Sequence, residues 1–347
     1  MRIRALAVVL LACSLGPVVS NADDAAPAAP AAPAAPAAPA APAAPVVPAA
    51  STAKPFARGI RALADVAYAR AGERTLTLDL YLPEKPPTAP LPLLVWVHGG
   101  GWIGGDKRPC PTTGFVPTGW IVASVGYRLT TVAPFPAQIH DVKAAVRFLR
   151  AHADAWGIDP ERVAAAGASA GGHLVALLGT SGGVAELEGT EGNAGASSRV
   201  QAVIDYFGPT DLTQFDGHGS KLVAAAPGSV VERLLGGPLA ERRELAKAAN
   251  PITFVDADDP PFLIFHGDKD DIVPLDQSRL LVTALEKASV PVTLVVVPGG
   301  GHGFPGTEVR AAQFLRERLG TPRPRPAAPA PEPAAPVPAP AGMGSSR

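Results

Sequence analysis

Four stretches of the chain hold side chains able to do covalent chemistry, and each follows an apolar run. "GASAGG", residues 167–172, puts one hydroxyl, that of Ser169, at a corner built from glycine and alanine. Such a corner can hold a nucleophile in a strained backbone conformation, its oxygen raised above the sheet. It can equally be an ordinary tight turn. "HGGGW", residues 98–102, can aim successive backbone N–H groups at one point, as stabilising an oxyanion requires. His98 itself reads as a residue that fixes the loop. "HGDKDDIVP", residues 266–274, offers the acids Asp268, Asp270 and Asp271, one of which can orient a histidine. "PGGGHGF", residues 298–304, carries His302 in a glycine-rich loop from which an imidazole can reach a neighbour.

The elements before these stretches decide whether the four can meet. "LPLLVWV", "RVAAAGA", "VQAVIDYF", "PFLIFHG" and "VTLVVVPG" are short continuous apolar runs, the pattern of strands buried on both faces. "WIVASVGYRL", residues 120–129, reads as another such strand, and "TLTLDLYLP" alternates as an edge strand of an opening antiparallel hairpin. Helical spacing of Ile139, Val142, Val146 and Leu149 predicts one helix over residues 136–156. Further helices are expected after Ser169, over 276–288 and over 307–319. Strands alternating with helices imply an α/β fold with a mostly parallel sheet covered on both faces. Reactive groups in such sheets gather beyond the carboxyl ends of the strands. Residues 210–259 are less regular and are expected to lay short helices over the site.

The order Ser169, then an acid near 270, then His302, each after its own strand, is the chain order of α/β-hydrolases.

The chain has 347 residues, 40 of them proline, with a net charge of −1. Residues 1–22 read as an export signal, with Arg2 and Arg4 ahead of a short apolar core and small residues near Ala22. This predicts an exported protein. A lipoprotein signal that acylates Cys13 is the alternative, and the apolar run is too short for a transmembrane span. Residues 23–55 and 321–347 are rich in Ala and Pro and predict extended linker and tail segments. The folded domain is expected over residues 56–320. With the signal removed, only Cys110 remains, which predicts a free thiol. The scattered basic residues exclude an electrostatic case for nucleic acid. Oligomeric state is left open.

"HGGGWIGGDK", "GASAGGHLVALL", "DYFGPTDL", "HGDKDDIVP" and "PGGGHGF" together resemble the exported bacterial esterases of the feruloyl- and acetyl-esterase-like (BD-FAE-like) family, near the hormone-sensitive-lipase group. The resemblance implies an α/β-hydrolase fold without a large cap, because the Ala-Pro segment stands where relatives carry one. It implies Ser169 as nucleophile, His302 as base and Asp270, rather than Asp268 or Asp271, as the acid. Gly100, Gly101 and Ala170 align with the oxyanion donors, each worth about 3 kcal/mol in the transition state. Trp102, Phe207 and Phe304 are candidates for the substrate pocket. Where relatives often have Ser before the Pro of "KAANPITFV", this chain has Asn250.

The expected reaction is hydrolysis of a small-molecule or polysaccharide-linked carboxylic ester through an acyl-enzyme. No metal or other cofactor is expected, since no His/Cys set has zinc-ligand spacing. Two readings remain beside it. Arylformamidases and prolyl-oligopeptidase-like peptidases use the same serine and late histidine on amides, although no propeller-length N-terminal domain is present. A non-catalytic binding module on the same fold is the other.

Overall fold

The structure, a computed structural model, describes residues 47–215, 221 and 224–320. The expected signal at 1–22, Cys13, the linker before residue 47 and the tail at 321–347 lie outside the described residues. The strands are β1 (Lys54–Ala57), β2 (Ile60–Ala71), β3 (Arg74–Pro83), β4 (Leu91–Val97), β5 (Ile121–Val125), β6 (Ile158–Ala168), β7 (Ala202–Tyr206), β8 (Phe262–Gly267) and β9 (Val292–Val297). The helices are α1 (Ala137–Ala151), α2 (Ala153–Trp156), α3 (Ala170–Thr180), α4 (Ala185–Glu188), α5 (Val230–Leu235), α6 (Arg243–Ala249), α7 (Leu275–Lys287) and α8 (Glu308–Leu319).

One sheet runs in the order β1-β2-β3-β5-β4-β6-β7-β8-β9. The β1, β2, β3 and β5 neighbours pair antiparallel, and every pair from β5 to β9 is parallel. Strand alternation feeds two cores. Leu93, Val95 and Val97 of β4 join the core under α1, α3 and α7, while Leu94 and Trp96 join the opposite one with Phe115, Phe314 and Leu315. Because β4 is covered on both faces, all seven of its residues are buried, and its sequence reads as an unbroken apolar run.

The helix expected over 136–156 is broken. At His152 the backbone leaves helical values (φ −113°, ψ 21°), and α2 is a separate turn closed by Gly157 at φ 73°. The rings of Phe148, His152 and Trp156 pack against one another around the break. The strand expected over 120–129 stops at Val125. Past it, Arg128 turns to α1 and binds both carboxylate oxygens of Asp141. The expected domain start at residue 56 falls inside β1. Order reaches further back: Val47, Ala50 and Ala53 pack on the main core, and Trp156 Nε1 donates to Pro48 O at 2.9 Å.

Beneath the Ser169 corner, β6 pairs Gly167 with Asp205 of β7. Asp205 is fully buried; Oδ1 accepts from Gly208 N at 2.8 Å, and Oδ2 has no partner among the described residues. Burial pushes its carboxyl up to about 6 from an ordinary 3.8. Between those values the folded chain takes the proton more readily than the unfolded one, so this group's contribution to stability declines as pH rises through that window. The linkage is worth about 3 kcal/mol. In urea melts, Asp205→Asn should therefore gain on the native chain by about that amount between pH 4 and pH 8. A difference that stays constant across this range would refute the assignment.

Candidate active site

Ser169 joins β6 to α3 with φ 56° and ψ −121°, which costs an L residue on the order of 1–3 kcal/mol. Two hydrogen bonds hold it: Ser169 N donates to Tyr206 O at 2.8 Å, and Ser169 O accepts from His173 N at 2.9 Å. The small residues around it are required by close packing. A β-carbon on Gly171 would strike the carbonyl oxygens of Val97 and His98. Non-glycine residues with positive φ are Asp65, Trp102, Ser169, Phe207 and Ser289, and Trp102, Ser169 and Phe207 all surround this corner. Backbone strain is thus concentrated where β4, β6 and β7 end.

His302 Nε2 lies 2.9 Å from Ser169 Oγ, and its Nδ1 lies 2.8 Å from Asp270 Oδ2. A carboxylate only accepts, so Nδ1 carries the proton and Nε2 is left to accept from the serine hydroxyl. Asp270 is enclosed by donors. Its Oδ1 accepts from Ile272 N at 2.9 Å and Val273 N at 3.0 Å, and buried His266 brings Nε2 to 3.4 Å from Oδ2. Burial alone would raise the Asp270 carboxyl. Hydrogen bonds from His266, His302 and Ile272 N–H outweigh that and hold it well below the ordinary carboxylate value. Asp268 and Asp271 have other partners: Asp268 Oδ1 accepts from Gly299 N at 2.7 Å, pinning the His302 loop, and Asp271 pairs with Lys221.

The glycine loop after β4 lies beside the serine. Among the described residues no acceptor meets the N–H of Gly100, Gly101 or Ala170. Ala170 opens α3, where a helix leaves its N–H groups without intrahelical partners. His98 fixes the loop from behind, with Nδ1 at 2.8 Å from Gly99 O and its ring stacked on Tyr127 at 4.4 Å. An apolar pocket adjoins these groups, lined by Gly101, Trp102, Ser169, Ala170, Pro209, Phe215, Val230, Val231 and Val273. Gly100 is exposed and outside this lining. Of the expected pocket aromatics only Trp102 lines it. Phe207 packs 4.7 Å from the His302 ring and flanks the imidazole instead, and Phe304 packs behind it, 5.4 Å from Phe207. Among the described residues no cluster of His, Cys, Asp or Glu is arranged to hold a metal.

The BD-FAE family model matches residues 78–285. The chain belongs to the BD-FAE family. Esterase LipQ of Mycobacterium tuberculosis is 33% identical over 256 residues, 72% of this chain and 59% of LipQ. Esterase LipC of the same organism is 33% identical over 232 residues, 65% of this chain and 56% of LipC. The chain thus spans less than two thirds of these curated relatives. Among solved structures, a truncated carbohydrate esterase from gut microbiota superposes with a TM-score of 0.68 at 33% identity, covering 79% of this chain and 99% of that one. A thermophilic esterase from the planctomycete Thermogutta terrifontis gives 0.57 at 28% identity, covering 75% of this chain and 89% of its own. The chain has the α/β-hydrolase fold of these neighbours, with no large cap among the described residues.

Within this BD-FAE member, several site residues carried no sequence signal. Phe215, Val230 and Val231 come from the irregular stretch after β7, and nothing in their spacing marks a pocket. His266 reads as the end of a strand. Only the fold shows that its Nδ1 meets Ser278 Oγ at 2.7 Å while Nε2 faces Asp270 and Val273 O. Asn250 proves structural: Nδ2 donates to Asp211 Oδ1 at 2.7 Å, and Oδ1 accepts from Leu212 N at 2.9 Å.

Proposed function

We propose that the protein is a serine carboxylic ester hydrolase acting on short acyl groups. The observation that carries this is the hydrogen-bonded array Ser169–His302–Asp270, seated on a strained corner beside unoccupied backbone N–H donors. His302 takes the Ser169 proton as Oγ attacks the ester carbonyl, then delivers it to the departing alcohol. Gly101 and Ala170, with Gly100 beside them, stabilise the oxyanion, and water then cleaves the acyl-enzyme. Asp270 stays ionised and keeps the imidazole in the working tautomer.

The pocket supports a small acyl group. Buried Phe215 and Val231 wall it in beside Ser169, which leaves little room for a long chain. The purified chain should turn over p-nitrophenyl acetate and butyrate with kcat/KM at least about tenfold above the octanoate, a margin of about 1.4 kcal/mol. Phe215→Ala should narrow or invert that ratio. Equal turnover of all chain lengths would overturn the pocket assignment, and no turnover of any ester would overturn the reaction.

A further inference from the structure

The oxyanion loop ends on a residue whose placement depends on a side chain with no part in the proposed chemistry. Trp102 holds φ at 58° immediately after Gly101 and is one of the residues that line the pocket. Its backbone carbonyl accepts from Thr130 N at 2.9 Å. The polar end of the ring, Nε1, points at His173 Nδ1 at 3.3 Å, with the two rings edge to face at 5.1 Å. His173 is fully buried in the first turn of α3, and its Nε2 lies 2.7 Å from Ala249 O.

These contacts define one tautomer. A carbonyl oxygen accepts only and an indole N–H donates only, so His173 carries its proton on Nε2 and offers a lone pair on Nδ1. A second proton would set two donors face to face. Burial holds the imidazole down at about 4, so it is neutral at working pH. Its backbone N–H binds Ser169 O, so a single residue ties the nucleophile's corner, the indole that closes the oxyanion loop and the end of α6.

We propose that His173 is a positioning residue for the oxyanion loop, acting through the Trp102 indole. The inference rests on the ester-hydrolase reading above. Attack by Ser169 needs N–H donors already aimed at the developing charge, and a small displacement of the loop costs rate rather than binding.

Two amide substitutions separate the contacts, because an Asn amide overlies Nδ1 of a histidine and a Gln amide overlies Nε2. His173→Asn keeps an acceptor for Trp102 and loses Ala249, whereas His173→Gln does the reverse. Trp102→Phe removes the indole N–H and keeps an aromatic ring. Steady-state kinetics on p-nitrophenyl acetate, with a thermal melt of each variant, should show kcat falling roughly 10- to 100-fold in Trp102→Phe and His173→Gln, with KM changed less than about threefold. His173→Asn should stay within about fivefold of the native kcat, although its melting temperature falls as far as that of His173→Gln. The double variant Trp102→Phe/His173→Gln should lose no more than either single one, since both break the same bond. A native kcat in folded Trp102→Phe, or equal losses in the two His173 variants that track their melting temperatures, overturns the proposal. A native chain without esterase turnover would instead overturn the reading beneath it.

Discussion

Ser169→Ala should lower kcat on p-nitrophenyl acetate by on the order of 10⁴-fold or more while leaving the thermal melt close to native. The size follows from the role proposed for Oγ. Without it no acyl-enzyme forms, and the remaining donors and pocket can only assist attack by water. The small effect on folding follows from what holds Ser169. Its backbone N–H and carbonyl bind Tyr206 O and His173 N, and Ala keeps both. Alanine meets the same strain at φ 56°, so no backbone relief is expected. Mass spectrometry after treatment with a p-nitrophenyl phosphonate should show one adduct per native chain and none on the variant. Substantial turnover in Ser169→Ala would move the nucleophile elsewhere.

Asp270→Asn should cost nearly as much, about 10⁴-fold in kcat, by a different route. Asp270 accepts from three N–H groups, those of Ile272 and Val273 on Oδ1 and that of His302 on Oδ2, while His266 Nε2 bonds Val273 O and lies 3.4 Å from Oδ2. An amide retains one oxygen. If that oxygen keeps the two backbone donors, the new NH₂ faces the imidazoles. His302 is then driven to the tautomer with its lone pair on Nδ1 and its proton on Nε2, pointing at Ser169. No base remains for the hydroxyl. The buried donor set also loses an acceptor, a further cost of about 1–3 kcal/mol in stability. Activity above about a tenth of native in a folded Asp270→Asn would show that His302 works without the carboxylate.

The parts of this architecture legible in the sequence were those where local pattern and burial agree. Strands β4, β6 and β8 sit between neighbours and under helices, so Leu91–Val97, Val163–Ala166 and Phe262–Phe265 are apolar without interruption. The glycines at 99–100 and 171–172 mark the corner between β4, β6 and α3 because backbone passes close there, and no larger residue fits these positions. What was hidden depends on contacts distant in sequence. β2 has breaks in its register with β3 between Leu63 and Val66 and between Ala67 and Ala69, which erase the period-two alternation that would have marked it. The placing of β5 outside β4 is a property of the crossover and leaves no local trace. Phe207 and Phe304 follow strands, as pocket aromatics often do. Phe207 turns its ring instead to His302 and Phe304 packs on Phe207, while Phe215 and Val231 of an irregular excursion wall the pocket.

The bond between Trp156 and Pro48 has a consequence for orientation. Trp156 stands just before the first residue of β6, and Ser169 stands just after its last. Between Ile158 and Gly167, β6 runs alongside the six steps of β4 from Leu91 to Val97, and at about 3.3 Å per residue this separates the two ends by roughly 20 Å. Pro48, where the described residues begin to pack on the domain, therefore lies at the end of the sheet opposite the Ser169 corner.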